Sequence, residues 1–438
     1  MPSRRGLPEP LRSSENPMPD LNTLVNQVYT YFEGRYGLPG GATPVAGNLF
    51  LAFEQIATNV SPNDFKLNDT DTTFNDALAA QLGSHLADFV VTLSSDGAIM
   101  PRGDLSLTVQ GAYQELVKSS RYLSADPASL ASFMALQGET QRAFEEEKCT
   151  VDLIDFWPVQ FTPQHWFDGD DAQIWSIYSS LTSSPTAAPP SPPPVKVADW
   201  KWSVISDEAR PALVALRADA LRPLSRSAVD APPVTNHAPL LATASPALLK
   251  ETAPSNLALA RPLTTTGLQQ NTNANGGPQI KVINRVMRPV LINPSSLVAT
   301  TLPQVSPTSD QFELSFDYCL VSLSRPWISG GFLTHAGWYV PGSAASSWSD
   351  GTYRLSPQRF AYLPVKMLVV RKLKIKAQWT QEDRLCVQNA ASFGPFSLLD
   401  AQFNDETLTS DGIQIVGWMC QVMPPMPPSG DSTVGAQQ

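Results

Sequence analysis

The stretch QFELSFDYCL, at residues 311–320, decides the fold of the second half of this chain. Its apolar side chains Phe312, Leu314 and Phe316 alternate with polar ones, and a period of two residues is that of a β-strand with one buried face. Residues 369–376 and 413–422 are two further strand candidates. We therefore predict a β-rich, sandwich-like domain over residues 280–424.

The first part of the chain, residues 19–150, has a helical period instead. In residues 73–93 the apolar side chains recur at three and four residues and form one stripe, with Asp71 or Thr72 as the N-cap. The same reasoning predicts helices over residues 21–36, 49–56 and 108–120, and one that starts at Pro127 after an Asp126 cap. We expect these helices to form a compact bundle. The fold class predicted for the whole chain is therefore α+β and multidomain, a helical bundle followed by a β-rich domain.

Proline-rich stretches mark the boundaries between the predicted units. The tract SSPTAAPPSPPPV, at residues 183–195, is typical of a polyproline spacer, because proline cannot donate the hydrogen bonds of a sheet. Beyond it, residues 199–202 predict a short strand and residues 206–223 a helix. The predicted units are a disordered N-terminus (1–18), a helical domain (19–150), an aromatic-rich extension (151–182), the Pro-rich linker (183–195), a strand-helix segment (196–228), a loose Pro/Thr/Asn-rich linker (229–279), the β-rich domain (280–424) and a disordered tail (425–438).

The charge and the apolar content of the chain argue against two classes of partner, nucleic acid and the membrane interior. The chain has 438 residues and a formal net charge of -10, and an acidic chain is poorly suited to displace the counterions of a polyanion, so nucleic acid is not expected as a partner. No run reaches the roughly 18–20 apolar residues of a membrane span. The start, at Met1 or Met18, lacks the apolar core of a signal peptide. We expect no integral membrane association, and a location in the cytoplasm or export by a non-classical route.

Cysteine spacing and motif searches give no catalytic signature. The four cysteines are far apart in the sequence and lack the spacing of zinc ligands: Cys149, Cys319, Cys386 and Cys420. We therefore interpret them as reduced and mostly buried thiols. The nucleophile-elbow, zinc-protease, P-loop, dinucleotide-binding and EF-hand patterns are absent from the sequence. Cys319 with His335 and Asp350 would supply the groups of a thiol triad, but their spacing fixes no geometry. No cofactor is predicted.

The acidic segment HWFDGDD, at residues 165–171, is a weak candidate for a metal site. Its oxygen and nitrogen donors are His165, Asp168, Asp170 and Asp171, arranged around a glycine. The alternative is a turn followed by a helix N-terminus, where carboxylates accept hydrogen bonds from free amides. We favour the turn because the later ligands of a calcium loop are missing.

The stretch RPWISGGFLTHAGWYVPG, at residues 325–342, is the most distinctive in the chain. Aromatic rings and glycines are interleaved there, and exposed aromatic and Arg side chains are the usual anchors of interfaces. The same rings would form a core if buried, or a platform for a small ligand or glycan if exposed on loops. The interaction candidates are Arg325, Trp327, Phe332, Trp338, Tyr339 and Trp348.

Three lysines, Lys372, Lys374 and Lys376, alternate with apolar residues. In an acidic chain this ladder is a candidate for binding an anionic partner, such as the Glu145, Glu146 and Glu147 cluster of another copy. The plainer interpretation is a solvated sheet face, or an edge strand guarded by lysines against wrong pairing.

The sequence therefore favours a non-enzymatic structural or protein-interaction component in a homo- or hetero-oligomeric assembly. Two alternatives stay open. One is a non-classically exported effector or toxin with a helical, membrane-engaging domain. The other is a hydrolase with an unconventional active site.

Overall fold

The protein is described by a computed structural model over residues 21–36, 43–67, 70–100, 108–151, 154–180, 200–205, 264–272, 278–286, 302–355 and 358–431. Within these ranges lie six α-helices and eighteen β-strands. The helices are α1 (Leu21–Tyr36), α2 (Asp76–Ala87), α3 (Val109–Ser119), α4 (Pro127–Glu146), α5 (Gly330–Thr334) and α6 (Gln381–Gln388).

The strands are β1 (Leu49–Val60), β2 (Arg121–Tyr122), β3 (Cys149–Val151), β4 (Ile154–Phe156), β5 (Gln160–Thr162), β6 (Ser176–Ser179), β7 (Trp202–Val204), β8 (Thr264–Thr272), β9 (Pro278–Val286), β10 (Gln304–Val305), β11 (Asp310–Ser324), β12 (Trp338–Tyr339), β13 (Tyr362–Gln378), β14 (Ala390–Phe393), β15 (Phe396–Ser397), β16 (Gln402–Asn404), β17 (Thr407–Ser410) and β18 (Ile413–Val422).

An eight-stranded antiparallel sheet organises the described part of the chain. Its strands run in the order β1-β18-β13-β11-β5, with β6 also on β11, β17 on β13 and β16 on β17. The four-stranded sheet has the order β10-β7-β14-β15, and three two-stranded pairs are β2 with β12, β3 with β4 and β8 with β9. The mixed α and β content predicted from the sequence is thus present.

Strand β1 corrects the prediction of a helix at residues 49–56. It pairs with β18 from Leu49 opposite Gln421 to Val60 opposite Ile413. Both faces of β1 are buried, since Phe50 and Phe53 belong to different cores. A strand buried on both faces has a continuous apolar run, which period alone does not distinguish from a helix. The range 19–150, predicted to be helical, therefore contributes a strand to the sheet of the range 280–424.

The first core lies on one face of the large sheet. It contains Phe312, Leu314 and Phe316 of β11 together with side chains of α1, such as Val28 and Phe32. The four-stranded sheet packs on the same core through Trp202, Phe393 and Phe396. This face is thus closed by a helix and by a second sheet.

The second core covers only part of the opposite face. Met367 and Val369 of β13 and Trp418 of β18 pack there against α2 and against Trp166. Helix α2 is shorter than the predicted 73–93, because residues 88–93 are not helical. Its N-cap is Asn75 rather than the predicted Asp71 or Thr72, and the Asn75 side chain accepts a hydrogen bond from the Leu78 amide.

A third core joins α3 and α4 to the loop region around α5. Helix α4 starts as predicted, with Pro127 in its first turn and Asp126 as the cap that accepts from Ser129 N at 2.8 Å. Because α1, α2 and the α3–α4 pair lie in three different cores, the described helices do not form the predicted bundle. Among the described helices, none has both the length and the apolar content to cross a membrane.

Several predictions fall outside the described residues. These are the disordered N-terminus at 1–18, the linker at 183–195, the helix at 206–223 and most of the linker at 229–279. The strand predicted at 199–202 overlaps β7 at Trp202 alone, since β7 begins there and residues 200 and 201 are not in a strand.

Candidate functional site

The candidate functional site is the part of the large sheet that no other element of the described residues covers. Along β11, β13, β17 and β6, alternate side chains point into the first core, and the residues between them lie on the other face. Beyond the second core these residues are partly or fully exposed. We call this surface the open face; it consists of Ile177, Ser179, Glu313, Ser315, Asp317, Lys372, Lys374, Lys376, Thr407 and Thr409.

Charges on the open face lie in two adjacent rows. The basic row, Lys372, Lys374 and Lys376, is on β13, and the acidic row, Glu313 and Asp317, is on β11. Lys376 Nζ lies 3.8 Å from Glu313 Oε2, and Lys372 Nζ lies 3.3 Å from Asp317 Oδ2. Ion pairs between an exposed lysine and a partly buried carboxylate at the surface, like other surface pairs, add about 0–1 kcal/mol of stability each. The rows are therefore a surface feature more than a source of stability.

Lys374 differs from its two neighbours. It faces Ser315 on β11 and Thr409 on β17, and no carboxylate of the described residues forms an ion pair with it. Its ammonium group is a positive charge available to a partner.

The lysine ladder is not on an edge strand, which corrects one of the two plain interpretations. Strand β13 pairs with β11 on one side and with β17 and β18 on the other. Lys372 has a φ of 51°, at a register shift where two residues of β13 lie opposite one of β11. The solvated sheet face is the interpretation that fits.

Arg371 forms the border between the second core and the open face. Its side chain is 8% exposed, and its Nε donates to Asp317 Oδ2 at 3.2 Å. Its guanidinium carbon lies 4.3 Å from the centre of the Trp175 ring, and Nη1 donates to the Gly169 carbonyl. The acidic segment 165–171 is thus held against the sheet by an arginine.

The four metal candidates do not converge. His165 Nε2 lies 2.9 Å from Asp76 Oδ1 of α2, and Asp168 Oδ1 accepts from the Asp170 amide at 2.8 Å. Asp171 caps a 3₁₀ turn by accepting from Gln173 N at 3.0 Å. No group of three His, Cys, Asp or Glu side chains in the described ranges is placed to hold a metal ion. These contacts are those of a turn and a helix cap.

The aromatic candidates of residues 325–348 are core residues in this conformation. Trp327, Phe332, Trp338 and Trp348 are at most 1% exposed and form the third core, while Tyr339 is partly exposed. The buried indole of Trp327 donates to the Pro158 carbonyl at 2.9 Å. Of the three interpretations left open by the sequence, the structure shows packing within the chain.

Arg325, the sixth interaction candidate, is also buried. It donates to the Pro364 carbonyl at 2.6 Å and to the Ala87 carbonyl at the end of α2 at 2.8 Å. Burial lowers the pKa of its guanidinium to about 10. Arg325 therefore ties α2 to the start of β13.

The residues considered for a thiol triad are not brought together. Cys319 is in the second core, while His335 contacts Tyr122 and Phe133 at the third core. Burial raises the pKa of Cys319 to about 12, so its thiol stays protonated at neutral pH. Asp350 Oδ2 pairs instead with Arg354 Nε at 2.6 Å.

Sequence reasoning missed two features of the surface. It did not place Glu313 and Asp317 beside the lysines, because that register is a long-range property. It did not show that Leu130 and Met134 lie on the outer side of α4, where they are 37% and 60% exposed. The buried side of α4 is Phe133, Thr140 and Phe144.

Comparison of the chain with protein-family models, with curated proteins and with solved structures gives no match.

Proposed function

We propose that this chain is a non-enzymatic structural or protein-interaction component, which acts within a homo- or hetero-oligomeric assembly through protein partners. The observation that carries this proposal is the open face, a sheet surface with rows of opposite charge that, among the residues described, has a core only on its other side. Complementary charge patterns give specificity and a fast encounter between proteins.

A second surface supports the same proposal. Leu130 and Met134 are one helical turn apart on the exposed side of α4, and large exposed apolar side chains that adjoin each other are typical of contact surfaces. The segment of α4 before Glu139 has no charged residue, which keeps this side of the helix easy to desolvate.

The two alternatives from the sequence have less support. The hydrolase hypothesis relied on Cys319 and His335, which contact different cores. The membrane-engaging hypothesis relied on the amphipathic helix at 73–93, and α2 buries Ala79 and Leu86 in the second core.

We interpret the large sheet and the four-stranded sheet as sandwich-like, because Phe312 and Phe316 of the first and Phe393 and Phe396 of the second share one core. This interpretation supports the proposal because a sheet backed by a second sheet is a rigid platform for a partner.

The test is the mass of the native particle that contains the tagged full chain, measured by light scattering. We expect a defined particle larger than the 47.5 kDa of one chain. The Lys374→Glu variant should leave this particle, while Lys118→Glu, the same charge change at an exposed site on α3, should stay in it. A monomer in every native extract would contradict the proposal.

A further inference from the structure

The charge rows of the open face complement each other across one line. In the β11–β13 pairing Glu313 lies opposite Lys376, Ser315 opposite Lys374 and Asp317 opposite Arg371. Neighbouring strands are about 4.8 Å apart, so the two rows run side by side at that spacing. A line between β11 and β13, parallel to the strands, has acidic groups on one side and basic groups on the other.

Rotation by half a turn about such a line exchanges the two rows. When two open faces meet face to face around it, the basic row of one copy lies over the acidic row of the other at the same height along the strands. Lys376 of each copy then faces Glu313 of the other, and Lys374 lies between Glu313 and Asp317 of the other. Contacts of this self-complementary kind are those of a two-fold dimer.

We propose that the open face binds the open face of a second copy of this chain, around a two-fold axis parallel to β11 and β13. This inference rests on the proposed function and names its partner.

The groups that meet are suited to such a contact. The side chains of Glu313 and Asp317 are only 21% and 17% exposed, so most of their hydration is already lost in the single chain. The lysines are the more exposed partners, at 52% exposure for Lys376 and 55% for Lys372. Small hydroxyl residues, Ser179, Ser315, Thr407 and Thr409, fill the face between the charges and let two sheets approach.

The area of the open face indicates how tightly two copies should bind. The four strands of the open face span about 19 Å, and five residues along each strand span about 17 Å. This area is below the roughly 800 Å² that each partner buries in a standard interface. The dimer should therefore form only at micromolar or higher concentration, and salt should weaken it because the Debye length falls from about 10 Å at 0.1 M to about 3 Å at 1 M.

The experiment is sedimentation equilibrium of the purified full chain and of two charge reversals, Lys376→Glu and Glu313→Lys. Each reversal places like charges face to face twice in a homodimer, and we expect its dissociation constant to rise at least tenfold. In an equimolar mixture every facing pair is again opposite in sign, so two variants that fail alone should associate with each other. Repair of folding cannot explain this rescue, because each chain keeps its own substitution.

Two control variants test whether the effect is specific to the open face. Lys118→Glu should leave self-association unchanged. A Glu145→Lys, Glu146→Lys variant should also associate normally; if it alone loses association, the lysines contact the end of α4 in another copy and the two-fold arrangement is wrong.

The outcomes separate this inference from the proposed function. A mixture that stays monomeric overturns the two-fold contact. A chain that is monomeric alone but enters a larger particle with other proteins overturns the inference and keeps the function. A chain that enters no particle overturns both.

Discussion

Asp383 of α6 is a fully buried carboxylate that connects three segments. Its Oδ2 accepts from the amides of Thr308 and Ser309 at 3.0 and 2.7 Å, and its Oδ1 accepts from Trp202 Nε1 at 3.2 Å. A buried donor without its acceptor is costly. This residue therefore fixes how the four-stranded sheet attaches to the large one.

We predict that Asp383→Asn lowers the free energy of unfolding by about 2–3 kcal/mol, because an amide group cannot accept from all three donors. Urea denaturation measures this loss. The neighbouring Glu382→Gln is the matched control, since Glu382 is exposed in the same helical turn and should cost less than about 1 kcal/mol. Equal losses for the two variants would show that the Asp383 contacts do not stabilise the fold.

The cysteines differ in accessibility, which refines the prediction of mostly buried thiols. Cys319 and Cys420 are buried, Cys386 is partly buried and Cys149 is exposed. Burial raises the pKa of Cys319 and of Cys420, and protonated thiols react slowly.

We predict that a thiol reagent at pH 8 modifies Cys149 first in the native chain, and Cys319 and Cys420 only after unfolding in urea. The Cys149→Ser variant should lose the fast phase. Fast modification of Cys319 in the native state would contradict the placement of that residue in the second core.

At the scale of elements, strands β1 and β18 are in close contact at Gly417. A Cβ atom there would lie 2.8 Å from the Ala52 carbonyl oxygen and 2.9 Å from Phe53 Cδ1. Immediately before the same strand, Gly412 has open space around the position of a Cβ atom.

Gly417→Ala should therefore destabilise the protein by about 1–3 kcal/mol, the usual cost of overpacking. Gly412→Ala should be neutral or stabilising by about 0.4–1 kcal/mol, because it only restricts the unfolded chain. Thermal or urea unfolding compares the two. If both alanines had the same effect, the close pairing of β1 with β18 would be in doubt.

The sequence predicted correctly those helices and strands that are marked by a short-range pattern, such as alternation or an N-cap. The alternation at 311–320 lies inside β11, residues 413–422 are β18, and Asp126 and Pro127 mark the start of α4. Residues 49–56 misled because a strand between two cores lacks alternation. The end of α2 at Ala87, whose carbonyl is held by Arg325 from a distant part of the chain, had no local signal.

Some features of the candidate site were also visible in the sequence, and others were not. The lysine alternation on β13 was visible in the sequence, and so was the alternation that places Glu313 and Asp317 on the polar side of β11. Their placement side by side depends on the register of two strands about fifty residues apart, which periodicity does not specify. Whether the aromatic rings of 325–348 were surface or core depended on α3 and α4, which cover them.

At the scale of the whole molecule, the large sheet unites distant parts of the chain. β1 lies within the first sixty residues, and β18 ends sixteen residues before the C-terminus. The first two cores lie on the two faces of this sheet, and within the described residues they leave one charged part of it uncovered. The function of the protein depends on what binds there.

The most direct measurement is acetylation of lysines followed by mass spectrometry, on the assembled protein and on the same protein dissociated in high salt. We predict that Lys374 and Lys376 are protected in the assembly and reactive after dissociation, while Lys118 reacts equally in both states. Equal reactivity of Lys374 and Lys376 in the two states would contradict the claim that the open face is the contact surface.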